Sequence, residues 1–149
     1  MNENEMVFEE YIESYLTSDE GGWIKATDAG YRSEESLGMA LDIITLTDFV
    51  KRTQPLAWRR LERISTINPA NQFYKAFDNA VTQDGLISVL RHGFKHRGIS
   101  FRVCYFKPES ELNETAVENY NKNVCQCIRQ WHYSELNKNS VDMMLAING

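Results

Sequence analysis

The sequence is poor in the residues that would staple, anchor or break it. Cysteine occurs three times, an odd number that argues against a disulfide framework and for a reducing compartment. Proline occurs at Pro55, Pro69 and Pro108 only, and never in a Gly/Ser-rich stretch. No linker is read, and a single domain, 1–149, is expected. The longest unbroken apolar run is Met143 to Ile147, far short of the ~20 residues of a membrane helix. No apolar stretch follows the acidic start, so no secretory signal is read and a cytoplasmic location is expected. The Gly-rich phosphate loops of nucleotide binders and the G-x-S-x-G elbow of serine hydrolases are also missing. Base is missing from the front of the chain: Met1 to Ile24 holds seven acids and no Lys or Arg.

What is present reads as one ordinary globular domain. Hydrophobic residues are 42% and charged residues 25% of the 149, which excludes disorder, collagen and a coiled coil for the whole chain. Net charge is −5, against the usual sign for a polyanion binder, but the bases cluster. Arg91, Lys95, Arg97, Arg102 and Lys107 fall in a stretch without a single acid, beside His92 and His96. A second group is Lys51, Arg52, Arg59, Arg60 and Arg63. Such runs are solvated faces or phosphate-facing surfaces.

The periodicity predicts a helix from about Asn4 to Leu16, with Phe8, Ile12, Tyr15 and Leu16 on one face and Tyr11 beside them. Leu37 to Arg52 reads as a second helix. Thr53 with Pro55, and Asn68 with Pro69, are start signals for two more. Asp84-Gly85 breaks the chain before a short helix at Leu86–Leu90. Ile99 to Phe106 alternates and reads as a strand ended by Pro108. Asn113 to Asn123 reads as a short helix or structured loop. Val124–Tyr133 and Ser140–Ile147 read as strands, the last apolar enough for burial on both faces. Asn148-Gly149 is a strong hairpin-turn pair.

Asp142 is the first candidate for chemistry, because a carboxylate in an apolar strand is costly unless paired or metal-bound. The bland alternative is an exposed strand start partnered by Lys138. Glu9 on the first helix is the second candidate, against the usual fate of a solvated helix Glu. Cys125-Gln-Cys127 lacks the C-x₂-C spacing of structural zinc, so core cysteines are the better reading. His92 and His96 are four apart, but the position after His92 is Gly93 rather than the Glu of a zinc-protease helix, and a phosphate-side role suits them better.

Taken together, Phe8-Glu-Glu-Tyr-Ile with Leu16, Gly22-Trp23, Phe49-Val-Lys-Arg-Thr-Gln, Asp84-Gly-Leu-Ile-Ser-Val-Leu-Arg-His-Gly, Phe101 through Phe106-Lys-Pro, and Ser140-Val-Asp-Met-Met-Leu-Ala-Ile-Asn-Gly follow one another along nearly the whole chain. In that order they resemble the N-terminal nuclease region of type I restriction enzyme R subunits, the motor-nuclease subunits. The resemblance implies an α/β (α+β) fold, a restriction-endonuclease-like mixed sheet flanked by helices, of the PD-(D/E)xK type. It implies Asp142 as the strand Asp and Mg²⁺ ligand, with Val141 in place of the usual Pro. It implies Glu9 as the helix carboxylate, with Glu10 as the fallback. The Glu-x-Lys of the family's next strand is not in this chain, so the domain is expected to be incomplete at its C-terminal end and catalytically inactive alone. The resemblance further implies double-stranded DNA as substrate, methylation and specificity subunits as partners, and ATP used only by motor domains outside these residues. Arg91, Lys95, Arg97 and Arg102 are the expected DNA-facing residues. The alternative is a non-catalytic module that docks the motor subunit to those partners.

Overall fold

The computed structural model describes residues 3–134 and 136–149. The chain is mixed α and β and forms two compact units, one from 1–44 with 124–149 and one from 45–123. The second unit is thus an insertion, in sequence, between the first strand of unit one and that strand's partner.

Unit one carries a three-stranded sheet in the order β1-β4-β5. Here β1 is Ile24–Ala26, β4 is Cys125–His132 and β5 is Ser140–Ile147. β1 runs parallel to β4, with Lys25 opposite Cys127. β4 and β5 are antiparallel, with Ile128 opposite Met144 and Arg129 opposite Met143. Helix α1, Glu3–Leu16, follows the expected bounds. The stretch expected to be a loop after β1 contains a 3₁₀ helix, Asp28–Arg32. Tyr31, Ile128 and Ala146 form the core on one sheet face, with Ala26, Trp131 and Met144 packed against them. Tyr31 and Trp131 meet edge-on at 5.6 Å.

Two expectations for unit one are corrected. β5 is not buried on both faces: it is an edge strand, and Val141, Leu145 and Ile147 are exposed. An apolar run reports a wish for burial, which only a neighbouring strand can meet. The apolar face of α1 is not the inward face either. Glu9 and Glu13 are buried, while Phe8, Tyr11 and Tyr15 are exposed.

Unit two is built from helices and one hairpin. α2 is Ile43–Thr53, α3 Pro55–Ile64, α4 Pro69–Asp84, α5 Leu86–His92 and α6 Glu114–Asn121. α2 begins six residues later than the periodicity suggests, because Leu37 to Asp42 is an irregular stretch with a turn at its start and a bend at Ala40 and Leu41. The Asn68 side chain caps α4 by accepting from the Asn71 amide at 3.0 Å, and Pro69 sits where a missing N–H does no harm. Asn113 caps α6 in the same way. β2 (Phe94–His96) and β3 (Ile99–Phe101) form the hairpin. The long strand expected over Ile99–Phe106 stops at Phe101 and pairs backwards instead. Arg97 and Gly98 are its two turn residues, at φ 48 and 75. Positive φ at both central positions is the turn type whose twist matches a hairpin.

The core of this unit is aromatic. Phe73 of α4 lies 5.9 Å from Trp58, 5.3 Å from Phe94 and 5.2 Å from Phe101, ring centre to ring centre. Offset and edge-on rings at these separations add attraction beyond the area they bury. Phe73→Ala is expected to cost about 3–5 kcal/mol of stability, read as a shift of the urea midpoint at unchanged slope.

Candidate functional site

The elements of unit one set two groups of carboxylates apart. On α1, Glu9 and Glu13 are one helical turn apart and share a side of the helix. They turn inward because unit one has cations there. Arg129 reaches Glu9 Oε2 at 3.2 Å and Glu13 Oε2 at 3.7 Å. Lys25 Nζ sits 3.0 Å from Glu13 Oε2, and Arg129 also approaches exposed Glu10 at 3.9 Å. Gln130 adds a neutral donor, its Nε2 lying 3.3 Å from Glu9 Oε2, while its Oε1 accepts from Ser140 at 2.8 Å.

Consecutive strand residues do not normally point the same way. Arg129 and Gln130 both reach Glu9 because Gln130 takes φ 53, the left-handed region that costs a side chain roughly 1–2 kcal/mol. After this kink the next residue, Trp131, joins the Tyr31 face.

Asp142 stands elsewhere. Met144 and Ala146 of β5 meet or pack against the Tyr31 cluster, whereas Ser140 at its start donates to Gln130, which also touches Glu9. Asp142 lies between them, and among the described residues no hydrogen bond or ion pair joins it to Glu9, Arg129 or Gln130. Asp142 is exposed and makes no ion pair among the described residues, with Lys138 or any other cation. Among the described residues no three His, Cys, Asp or Glu side chains are placed to hold a metal.

The cysteines do not form a site. Cys104 and Cys127 are buried and Cys125 is half-buried, all three free. Burial pushes the thiols of Cys125 and Cys127 up, away from the reactive thiolate. His132 is a further pair missed in the sequence. Its Nδ1 lies 2.8 Å from Asp28 Oδ2 and its backbone N–H donates to the same oxygen at 3.1 Å. Burial alone would raise the Asp28 carboxyl, but the His132 hydrogen bonds and the charges of His132 and Arg32 bring it below its usual value. The contact ties the 3₁₀ helix to β4.

In unit two the basic candidates separate by what they already do. Arg102 Nη1 donates to the Arg91 carbonyl at 2.7 Å. Gln54 clamps the Arg102 backbone, accepting from its N–H at 2.7 Å and donating to its carbonyl at 2.8 Å. Arg102 is therefore a structural link of the hairpin base. Arg91, Lys95 and Arg97 are exposed and make no ion pair among the described residues. Lys95 sits on β2 opposite Ser100, and Arg97 is in the turn. His92 is exposed and His96 half-buried, and burial followed by the charge of Arg97 lowers the His96 pKa.

Sequence reasoning missed Lys25, Arg129 and Gln130. A signal existed: acids spaced to share one helix side, in a segment without base, need cations from elsewhere in the chain if they turn inward. Charge also divides by unit. Unit one holds four Lys and Arg against thirteen Asp and Glu, a net −9, and unit two holds twelve against eight, a net +4. Comparison with protein-family models, curated proteins and solved structures finds no match.

Removing Arg129 leaves Glu9 buried without its cation. Arg129→Leu is expected to lose about 3 kcal/mol, the lower end for stripping one partner from a buried pair. Asp142→Asn is expected to change stability by less than ~0.5 kcal/mol, as for a free surface group. Urea unfolding of both variants checks this, and a large loss from Asp142→Asn would make Asp142 a structural residue.

Proposed function

We propose that this chain is the amino-terminal part of the DNA-cleaving domain of a type I restriction enzyme R subunit, and that it does not cleave DNA by itself. The observation that carries the reading is Asp142: the only charge in an apolar strand, exposed, unpaired among the described residues, on an edge strand. Its place along the chain coincides with the strand Asp of the restriction-endonuclease-like sheet that the sequence resembles. In this reading Asp142 is one catalytic carboxylate, and the subunit acts on double-stranded DNA in the cytoplasm alongside methylation and specificity partners. ATP belongs to motor domains outside these residues.

The residues in hand do not fit a magnesium ion. A hard dication needs several oxygen ligands in a near-octahedral set, and among the described residues no three such side chains come together, while Glu9 is already held by Arg129. A Glu-x-Lys pair would have to reach Asp142 from a strand laid on the free edge of β5.

Supercoiled plasmid with Mg²⁺ tests both halves of the proposal. The 149-residue chain is expected to leave it intact, and Asp142-dependent nicking by this chain would overturn its incompleteness. In an R subunit carrying this segment, Asp142→Asn is expected to abolish cleavage while duplex binding persists. Undiminished cleavage would overturn the nuclease reading. For DNA contact, replacing Lys95 and Arg97 with Ala is expected to lower the slope of log affinity against log salt by roughly two. An unchanged slope removes the hairpin from the interface.

A second reading, the non-catalytic docking module, is favoured by a different observation. The buried carboxylates of α1 are neutralised by Arg129 and Lys25, which is the arrangement of a structural network rather than of open metal ligands.

A further inference from the structure

The inward turn of Glu9 and Glu13 puts the aromatic side of α1 outside. Phe8 is 65%, Tyr11 72% and Tyr15 56% exposed, with Val7 at 66% beside them. At 100° per residue these four fall within one third of the helix circumference, opposite the buried acids. An exposed stripe of large rings is an unusual surface for a helix and marks a contact site more often than a solvent face.

The charge around the stripe selects what covers it. Glu3, Glu5 and Glu10 on α1, and Asp19 and Glu20 just beyond it, are exposed. The first base of the chain, Lys25, is held by Glu13. A second copy of this face would set acid against acid. Nucleic acid and an anionic lipid surface are repelled in the same way. A cationic partner is attracted, and the rings add cation–π capacity for Arg or Lys.

We propose that the Phe8-Tyr11-Tyr15 face of α1 docks a basic amphipathic helix of a partner protein, one that presents apolar side chains flanked by Lys and Arg. The rings supply the buried anchors and the carboxylates set the sign and orientation of the partner. The proposal uses none of the residues assigned to DNA, so it stands or falls apart from the nuclease reading.

The probes are two synthetic helical peptides, one with Leu along one face and Lys along the other, and its Leu/Glu counterpart. Binding to the 149-residue chain is measured by fluorescence anisotropy of the labelled peptides. The Leu/Lys peptide is expected to bind and the Leu/Glu peptide not. The triple variant Phe8→Ser, Tyr11→Ser, Tyr15→Ser is expected to bind the Leu/Lys peptide at least about tenfold more weakly, the scale of losing aromatic anchors. Glu3→Lys with Asp19→Lys, which leaves every ring and the Arg129 network in place, is expected to weaken it as well and serves as the readout if the triple variant does not fold. Equal binding of both peptides would overturn the proposal. So would a folded triple variant that binds like the parent chain, or charge reversal without effect.

Discussion

Two carboxylates turned toward a sheet decide the form of unit one. Glu9 and Glu13 are each less than a tenth exposed, and an ionised group loses several kcal/mol of hydration on such burial. That loss is tolerable only where opposite charge waits. Lys25 of β1 and Arg129 of β4 provide it from neighbouring strands, at positions two residues apart in register because Lys25 faces Cys127. The strand pairing and the helix docking are therefore one arrangement: shifting β4 by a residue would swing Arg129 to the Tyr31 face and leave Glu9 buried alone. The left-handed Gln130 extends the same arrangement, adding a donor to Glu9 and sending Trp131 to the opposite core.

The second unit answers to a different constraint. Its hairpin has only three residues per strand, too few to persist alone in water. Phe94 and Phe101 pack on each other at 5.5 Å and on Phe73, so α4 holds the hairpin. Gln54 then pins Arg102 just past β3 through both polar atoms of its amide. Gly93 before β2 has φ 70, and a Cβ there would run into the Phe101 carbonyl, so glycine is required where α5 hands over to the hairpin. The exposed Lys95 and Arg97 are held at the free end of this packed structure. Their place is thus fixed by aromatic packing some residues away, not by ion pairs of their own.

Much of the element order was legible because caps and breakers act locally. Asn68-Pro69, Asp84-Gly85 and the alternating β4 carry their signals within a few residues, and the structure follows them. The failures share one cause. The facing of α1, the edge position of β5 and the shortness of β3 depend on partners distant in sequence. Hydrophobic spacing placed Phe8 and Tyr15 on a common face correctly, yet could not say which face was inside, because Arg129 lies 120 positions from Glu9. The turn at Arg97-Gly98 does carry a local feature, a glycine at positive φ, but the alternation from Ile99 to Phe106 pointed to one long strand. For the candidate site, the exposure of Asp142 agrees with its chemical oddness in an apolar strand, whereas the capture of Glu9 by Arg129 needed the helix–strand contact to be known.

The edge position of β5 bears directly on what Asp142 is for. Edge strands often carry an inward charge to discourage pairing with other chains, and Asp142 is the only charge on β5. That role alone accounts poorly for its position. It sits near the start of the strand, while the exposed Leu145 and Ile147 lie beyond it, unguarded. A strand built to repel neighbours would place charge across its length. Asp142 instead marks one end of an edge strand that otherwise carries no charge. Asn148 and Gly149, at φ 57 and 84, have the backbone of a tight hairpin turn, and Asn148 is fixed there by accepting the Val124 N–H at 2.6 Å. The Asn148 N–H also donates to the Val124 carbonyl at 2.7 Å, so the far end of β5 is tied back to the start of β4, away from the end that carries Asp142.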